Sequence, residues 1–509
     1  MNQKVPAVSV RNVTKRFGPV LANDKVCLDV YRGEILALLG ENGSGKTTLM
    51  NMLSGIYYPD EGEIFINGKP VSISSPKESF RLGIGMIHQH FKLVDVFSAA
   101  ENIVLGLESK LDMKTAIKRI QKICDDYGFD IDPRQKIYDM SVSQKQTIEI
   151  IKVLYRGADI LILDEPTAVL TPQETDKLFA ILRNMRNAGK AIVIITHKMH
   201  EVEALSDRVA VLRKGQYAGD VITSQTNAQE LTNMMVGHSV TLNIERSEPV
   251  NPQPRIEVKD LTVRNEEGTI KLDHVSFTAN TGEILGVAGI AGSGQKELLE
   301  AIAGLQPVDE GSIAYIEDNG AKEELIGKDP LTIADMGVSL SFVPEDRLGM
   351  GLVGNMDLAD NMMLRTFRRG RSFFTDRRGP RKIAENVVKD LAVSTPSLKT
   401  PVRRLSGGNV QKVLVGREIT NAPKVLLTAY AVRGLDINSS YTIYNLINDQ
   451  KKRGVAVIYV GEDLDVLVEL CDKILVLCGG KVSGIIPGRG ADKRDIGMMM
   501  TRVGGEANA

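Results

Sequence analysis

The sequence predicts two tandem domains of the α/β class, each built around a largely parallel β-sheet. The first observation is an internal repeat, in which RGEILALLGENGSGKTTLMNMLSG (residues 32–55) returns as TGEILGVAGIAGSGQKELLEAIAG (residues 281–304). The second is that short apolar runs rich in β-branched residues, at 160–163, 192–195 and 455–458, alternate with longer helical patterns.

The two copies keep a regular spacing along the chain. Their first loop glycines, Gly40 and Gly289, are 249 positions apart, and three later pairs of equivalent residues are each 265 positions apart. Prolines at 249, 252 and 254 exclude a helix between the copies. We therefore predict a first domain at 1–240, a linker at 241–255 and a second domain at 256–509. The stretches at about 90–150 and 345–405 are predicted to form a mainly helical subdomain in each copy.

Composition excludes several classes of protein. The 63 Lys and Arg residues against 64 Asp and Glu give a net charge of −1, so no overall positive field exists to hold nucleic acid non-specifically. A content of 43% hydrophobic and 25% charged residues is typical of globular chains. No apolar run approaches 18 residues and the N-terminus has no leader pattern. We expect a chain that stays in the cytosol, with its four cysteines reduced and buried.

The segment GENGSGKTT at residues 40–48 fits the G-x-x-x-x-G-K-[ST] pattern of a phosphate-binding loop. It lies between the apolar run ILALL and an amphipathic helical pattern, which is the context this motif requires. Glycine lets backbone N–H groups wrap around phosphate oxygens, Lys46 offers a charge to the β and γ phosphates, and Thr47 offers a hydroxyl to Mg²⁺. The predicted nucleotide-binding residues here are Gly40, Glu41, Asn42, Gly43, Ser44, Gly45, Lys46, Thr47 and Thr48.

Two carboxylates and a histidine follow further apolar runs. Asp164 and Glu165 come directly after the run at 160–163, where one can hold Mg²⁺ and the other can orient an attacking water. His197 follows the run at 192–195 and is predicted to hydrogen-bond the γ phosphate. The first copy therefore predicts a site that binds and hydrolyses a nucleoside triphosphate.

Together these motifs resemble the tandem ATP-binding subunits of the ATP-binding cassette (ABC) superfamily, and the resemblance covers nearly the whole chain. It implies two P-loop NTPase domains, each with a RecA-like core and a helical subdomain, that bind ATP and Mg²⁺. It implies that Phe17 stacks on adenine, that Gln89 contacts Mg²⁺ and the membrane partner, and that LSGGN at 405–409 is a signature loop. In that family two cassettes face each other head to tail, so each ATP lies between one phosphate loop and the other copy's signature.

The second copy departs from this pattern wherever chemistry would need it. Gln295 takes the place of the phosphate-binding lysine, and Lys296 the place of the Mg²⁺-binding hydroxyl, where its charge should repel the metal. Ala429 and Tyr430 replace the carboxylate pair, and Glu462 replaces the histidine. We predict that the second copy hydrolyses nothing, and the sequence leaves open whether it binds ATP.

The signature motif, in contrast, is intact in the second copy and altered in the first. The second copy keeps LSGG, whereas the first reads MSVSQ at 140–144 with a side chain at both glycine positions, including Ser143. Pairing of the two cassettes within one chain therefore assembles one complete site. Its predicted catalytic groups are Lys46, Gln89, Glu165 and His197, its metal ligands Thr47, Gln89 and Asp164, and its residues from the second copy Ser406, Gly407, Gly408 and Asp436.

Three further stretches are similar to the simple-sugar and nucleoside importers of bacteria: HQHFKLVDVFS at 88–98, DEPTAVLTPQE at 164–174 and VPEDRLGMGLV at 343–353. The first two are nearer the nucleoside branch. The resemblance implies an ATPase on the cytoplasmic face of the cell membrane, working with two membrane permease subunits and, through them, an extracytoplasmic solute-binding protein. Since the permease and the binding protein choose the solute, nucleoside and sugar both remain open.

The competing class is the soluble ABC-F type, which acts on ribosomes. Proteins of that type usually carry two working sites and a long charged helical linker, whereas this chain has one predicted site and a short linker with proline. A basic stretch at 365–382, interleaved with Phe367, Phe373 and Phe374, has three interpretations. It is a solvated surface, a contact with the anionic membrane leaflet, or a grip on single-stranded nucleic acid. The solvated surface is favoured, so no nucleic-acid partner is expected.

Overall fold

The chain folds as two compact units, Met1–Thr241 and Leu242–Ala509, in a computed structural model. The structure describes all residues except 1–4, 19, 89–90, 108–111, 168–169, 197, 238–243, 245, 266, 291, 343–350, 365–375, 406, 420–422, 433–434, 436, 462 and 502–509, and except the side chains of 341–342, 407 and 438.

In the described part of the first unit, one sheet of six strands and one of four carry the fold. The strands are β1 (Val8–Phe17), β2 (Val20–Val30), β3 (Glu34–Leu39), β4 (Glu61–Ile66), β5 (Lys69–Val71), β6 (Ile84–Ile87), β7 (Ile160–Asp164), β8 (Ala191–Ile195), β9 (Arg208–Arg213) and β10 (Gln216–Ile222). The larger sheet has the order β10-β9-β3-β8-β7-β6 and is parallel except for β10. The smaller sheet, β2-β1-β4-β5, is antiparallel.

Helices cover the larger sheet and form the predicted helical insertion. They are α1 (Lys46–Leu53), α2 (Pro76–Arg81), α3 (Ala99–Val104), α4 (Met113–Tyr127), α5 (Val142–Tyr155), α6 (Pro172–Asn187), α7 (Met199–Leu205) and α8 (Ala228–Val236). Their starts are encoded locally, because Ser98, Ser141 and Thr171 each form a capping box with the Glu or Gln three positions later.

The second unit repeats this architecture. Its strands are β11 (Pro254–Arg264), β12 (Ile270–Asn280), β13 (Ile284–Ala288), β14 (Glu310–Ile316), β15 (Lys322–Glu324), β16 (Val338–Phe342), β17 (Val425–Ala429), β18 (Ala456–Val460), β19 (Lys473–Cys478) and β20 (Lys481–Pro487). Its helices are α9 (Gln295–Ile302), α10 (Pro330–Asp335), α11 (Leu358–Met363), α12 (Arg378–Asp390), α13 (Gly407–Ile419), α14 (Ile437–Lys452), α15 (Leu464–Leu470) and α16 (Lys493–Thr501). The six-stranded order, β16-β17-β18-β13-β19-β20, is equivalent to that of the first unit when the first sheet is read in the opposite direction, from β6 to β10.

The spacing found in the sequence is the spacing of the elements. α1 and α9 begin 249 positions apart, and the strands β7 and β17, like the helices α6 and α14, begin 265 positions apart. Any residue downstream of the insertions can therefore be compared with its counterpart in the other unit by adding 265.

The core of the first unit lies between its two sheets and encloses α1. The apolar face of α1, with Leu49, Met50, Met52 and Leu53, is buried against strands of both sheets. Each such side chain stabilises the fold by about 1.5–3 kcal/mol. The start of α1, and with it the end of the phosphate loop, is thus fixed by the packing of the core.

Part of the segment predicted as a linker packs onto the second unit. Ile244 is buried in that unit's core, and the Arg246 guanidinium donates to the Val468 carbonyl at 3.0 Å and to the Cys471 carbonyl. The ammonium of Lys451, which is buried, donates to the Ser247 carbonyl and pairs with Asp472 at 2.6 Å. The regular structure of the second unit begins with β11 at Pro254, inside the predicted linker range.

Two expectations about the whole chain can be compared with the described residues. No disulfide is formed and Cys124, Cys471 and Cys478 are buried, but the expectation that all four cysteines are buried is wrong. Cys27 lies on β2 and is partly exposed, because burial alternates along this strand and Cys27 is on the opposite face from the buried Val26 and Leu28. Within the described ranges, no helix combines the length and apolar character needed to cross a membrane.

Candidate functional site

The carboxyl ends of four adjacent parallel strands bring the predicted groups of the first unit to one edge of the sheet. Leu38 of β3 pairs with Ile195 of β8, Asp164 of β7 pairs with the same Ile195, and Ile87 of β6 pairs with Leu163. The chain leaves these strands into the phosphate loop, into Glu165 and into the segments before positions 89 and 197. Ligands of open α/β sheets bind at this edge, where neighbouring loops separate.

The lysine of the first unit's phosphate loop hydrogen-bonds to the backbone of the same loop. The Lys46 ammonium donates to the carbonyl of Gly40 at 2.7 Å and to that of Glu41 at 3.0 Å. Burial lowers the pKa of Lys46, while the nearby carboxylates of Glu165, Asp164 and Glu41 oppose that shift. Lys46, Asp164 and Glu165 are therefore electrostatic neighbours, as the sequence predicts.

The loop fits a phosphate group. Gly45, at φ 97°, is the N-cap of α1, and a Cβ there would lie 2.4 Å from the Ala22 carbonyl oxygen. The Ser44 hydroxyl is buried and has no hydrogen-bond partner among the described residues. Backbone N–H groups at a helix start, a lysine and an orphaned hydroxyl are the donors that phosphate oxygens accept from.

Asn23 supports this loop from β2 and was missed by sequence reasoning. Its side chain is fully buried and its amide donates to the Gly45 carbonyl at 3.2 Å. The counterpart in the second unit is Leu272, whose methyl group lies 2.5 Å from the place of a Cβ on Gly294. A buried asparagine in one copy against leucine in the other is a signal that comparison of the repeats could have found.

The carboxylate pair lies at the end of β7. Glu165 is held at φ 48° with its N–H donating to the Ile195 carbonyl at 2.9 Å, a backbone conformation that costs about 1 kcal/mol or more and is common at functional sites. Burial and the Glu165 charge raise the pKa of Asp164 to about 6, against the effect of Lys46. A cation bound beside Asp164 would stabilise the ionised carboxylate and lower its pKa again.

These residues fit Mg²⁺ as it is bound with a nucleotide. The described residues contain no group of three or more His, Cys, Asp or Glu side chains able to hold a metal by themselves. Mg²⁺ in nucleotide sites is typically held by one or two protein ligands together with phosphate oxygens and water. Asp164, and Thr47 with its exposed position on the first turn of α1, satisfy that requirement.

Phe17, the predicted adenine contact, lies at the end of β1. Its ring is 41% exposed and packs edge-on against Tyr57, with ring centroids 5.1 Å apart and Lys15 over its face. An exposed aromatic pair of this kind is a surface on which a base can stack. Tyr57 belongs to no recognisable motif, so it was not predicted from the sequence.

The second phosphate loop keeps a glycine N-cap and a side-chain hydrogen bond like those of the first loop, but it lacks the charge of Lys46. Gly294 has the same φ of 97°, and the Gln295 amide donates to the Ile290 carbonyl at 3.1 Å, as Lys46 does to Glu41. Lys296 points to Glu300, one helical turn away, at 3.6 Å. Tyr430 occupies the place of Glu165 at φ 56°. The backbone of a nucleotide site is thus preserved where its reactive side chains are lost.

The two signature segments differ in how they start their helices. Ser141 caps α5 through the Gln144 N–H at 3.2 Å, and Val142 after it is exposed. In the second unit α13 begins at Gly407, and among the described residues a Cβ on Gly408 would contact Leu435 alone, at 3.9 Å. The described residues therefore leave space for a Cβ at Gly408.

The structure brings together Lys46, Asp164 and Glu165, with the rest of the loop at 40–48. Gln89, His197, Ser406, Asp436 and Glu462 lie outside the described residues, as does most of the basic stretch at 365–382. Together, the repeated sheet order and the phosphate loop before α1 define a pair of nucleotide-binding cassettes, of which the first carries the charged groups.

Comparison with known proteins agrees with this class. The ABC transporter family matches residues 23–168 and 272–428. The chain is 41% identical to the nucleoside import ATP-binding protein NupA of Lactococcus lactis subsp. cremoris, over 98% of this chain and 99% of that protein. It is 39% identical to the glucose import ATP-binding protein TsgD13 of Haloferax volcanii, over 99% and 97% respectively. The chain belongs to the ABC transporter family, whose ATP-binding proteins are ATPases.

A solved structure also extends over both units. The complex of the archaeal ribosomal stalk protein aP1 and the archaeal ribosome recycling factor aABCE1 contains a chain that matches with a TM-score of 0.60. The match covers 91% of this chain and 87% of that one at 16% identity, so it shows the fold alone.

Proposed function

We propose that this chain is the ATP-hydrolysing subunit that energises import of a nucleoside or simple sugar through a separate membrane permease. The single observation that carries the proposal is the likeness to import ATP-binding proteins along nearly the whole chain, both units included. The chain then lies on the cytoplasmic face of the cell membrane, against two permease subunits that receive solute from an extracytoplasmic binding protein. A ribosome-bound ABC-F function is not favoured by these relatives.

Hydrolysis is proposed to occur at one composite site. The first unit supplies Lys46, Gln89, Glu165 and His197 for the reaction, and Thr47, Gln89 and Asp164 to hold Mg²⁺. The second unit supplies Ser406, Gly407, Gly408 and Asp436. Support comes from the charges that converge around Lys46 and from their absence at Gln295 and Tyr430.

In this proposed site, side chains and backbone groups of the chain itself supply most of the catalysis. Lys46 and the N–H groups of the loop neutralise charge on the transferred phosphoryl group, and Glu165 orients the attacking water. Mg²⁺, when held by Thr47, Gln89 and Asp164, would neutralise negative charge that develops on the phosphate oxygens. The second loop keeps the Gly294 N-cap at φ 97° but has Gln295 in place of the lysine, so it is proposed to contribute nucleotide binding at most.

Purification of the chain with and without its permease tests the proposal. We expect slow ATP hydrolysis by the chain alone and faster hydrolysis in membranes that contain the permease and loaded binding protein, because docking favours closure of the cassettes around nucleotide. Nucleosides and sugars are tested as solutes in the same vesicles. A rate that stays the same with every permease encoded beside this gene would contradict the import function.

Two equivalent turns offer docking surfaces for the permease. In the first unit the buried Asn102 side chain accepts from the Val94 N–H at 2.8 Å and donates to its carbonyl at 3.0 Å. In the second, Asn361 makes the same pair of bonds to Val353 at 2.9 and 3.1 Å. Val94 and Val353 are 37% and 41% exposed. Near position 89 and its counterpart, the sequence offers three further docking candidates, Phe91, Leu348 and Met350. Phe91 is only partly exposed, and Leu348 and Met350 lie outside the described residues.

We expect Val94→Asp and Val353→Asp to abolish solute transport and permease stimulation while ATP binding stays unchanged. Both side chains are exposed, so the substitutions should change the free energy of unfolding by about 0.5 kcal/mol or less. Transport, ATPase rate and thermal unfolding are measured on the same preparations. Val250→Asp, at another exposed valine, is the matched control. Unfolding of the Val94→Asp protein would instead assign Val94 to core packing.

A further inference from the structure

A buried carboxylate in the first unit has no assigned role. Glu201, in the first turn of α7, is 2% exposed. It accepts from the hydroxyl of Thr167, accepts from the hydroxyl of Thr196 at 3.0 Å, and pairs with the Lys198 ammonium at 3.2 Å. An ionised carboxylate is buried only with such a full set of donors.

The partners of Glu201 lie on the two segments that carry hydrolytic groups. Thr167 is two residues after Glu165, and the Lys198 ammonium also donates to the Thr167 carbonyl at 3.2 Å. Thr196 and Lys198 are the immediate neighbours of position 197, and the Thr196 hydroxyl accepts from the Lys198 N–H at 3.1 Å. Glu201 therefore fastens the segment after the catalytic carboxylates to the backbone on both sides of position 197.

The second unit lacks this whole cluster. At the four positions 265 residues further on stand Val432 for Thr167, Gly461 for Thr196, Asp463 for Lys198 and Val466 for Glu201. All four polar members are thus changed in the copy that has lost its hydrolytic side chains.

The second unit also shows that the fold does not need the cluster. The helix α15 begins 265 positions after α7, and Tyr430 keeps the φ of Glu165 within a few degrees, 56° against 48°. Another contact in the region is kept in both copies, since Gln146 donates to the Pro166 carbonyl and Gln411 to the Ala431 carbonyl. Generic packing is preserved while the Glu201 cluster is not.

We propose that Glu201 is a positioning residue for ATP hydrolysis. Its carboxylate sets the distance between the segment that follows Glu165 and the residues on either side of position 197, Thr196 and Lys198, so that groups on both segments meet the γ phosphate together. This inference rests on hydrolysis at the first site and does not depend on the solute or the permease. Misplacement of reacting groups by about 1 Å can lower the rate about a hundredfold. We therefore expect loss of the Glu201 contacts to lower kcat.

The test compares Glu201→Leu and Glu201→Gln in the full-length chain, with Val466→Ala as the matched control in α15. For Glu201→Leu we expect kcat to fall between about tenfold and about a hundredfold, with KM and the Kd of a fluorescent ATP analogue within about twofold. Glu201→Gln should recover most of kcat, because its amide keeps one acceptor oxygen and threonine hydroxyls can turn to accept from its nitrogen. Val466→Ala should leave kcat at the parent value.

Hydrogen exchange gives a readout independent of turnover. In Glu201→Leu the peptides covering 166–171 and 196–199 should exchange faster, whereas those of β3 and β8 should not. An unchanged kcat, unchanged exchange, or a loss of ATP binding equal to the loss of rate would overturn the inference. Loss of permease stimulation with a normal basal rate contradicts the import function alone and leaves the role of Glu201 standing.

Discussion

Replacing Lys46 with alanine is expected to abolish ATP hydrolysis, whereas replacing its counterpart Gln295 with alanine should leave most of it. Phosphoryl transfer depends on preorganised positive charge at the transferred group, and the Lys46 ammonium is that charge, next to Asp164 and Glu165. Loss of such a group commonly costs several powers of ten in rate. Steady-state ATPase rates in permease-containing membranes measure the difference.

The carboxylate position gives a second, parallel comparison. Glu165→Gln keeps the shape of the side chain and removes the charge that is proposed to orient the attacking water, so we expect loss of turnover with retention of ATP binding. Tyr430→Phe, at the same backbone position of the second unit, should be nearly silent. Robust hydrolysis by the Lys46→Ala protein would overturn the one-site interpretation, as would inactivation by Gln295→Ala in a chain that remains folded.

Gly408→Asp is expected to inactivate the enzyme although Gly408 belongs to the other unit. A carboxylate there adds negative charge and bulk where the proposed composite site brings the signature to the γ phosphate. Among the described residues, a Cβ at Gly408 would meet Leu435 at an ordinary 3.9 Å, and alanine within a helix is favoured over glycine by about 1 kcal/mol. ATPase rate, ATP binding and thermal unfolding are measured together.

Ser143→Asp, in the degenerate signature of the first unit, is the matched comparison. It lies in the first turn of α5, where a negative charge is favourable, so it should be mild in both stability and rate. Gly408→Ala separates bulk from charge, since it adds the Cβ alone. If Gly408→Asp and Ser143→Asp reduce the rate equally, the second unit's signature has no special part in hydrolysis.

The fold could be predicted because its determinants are periodic or repeated. Strand–helix alternation and the offsets of 249 and 265 depend on residues close in sequence, and the structure has the elements at those spacings. The phosphate loop and the carboxylates that follow β7 were found for the same reason, since each is a short motif beside an apolar run.

Contacts between distant segments were not visible in this way. Asn23 reaches Gly45, Tyr57 packs on Phe17, and Glu201 joins Thr167 to Thr196, each across a separation that no local pattern encodes. Val353 was missed because it resembles Val94 in its hydrogen bond to an asparagine side chain, whereas the surrounding sequences differ. Comparison of the two copies position by position is the signal that would have raised two of these, at Asn23 and Glu201.

The packing of residues 244–247 on the second unit has a consequence for anyone who divides the gene. A fragment that begins at 256, where the motifs suggest the second unit begins, would strip Ile244 from the core and take the Ser247 carbonyl from the buried ammonium of Lys451. It would also remove the two bonds that Arg246 makes at the end of α15. A cut placed before residue 242 keeps the second unit whole, and fusion joints or protease sites belong on that side of it.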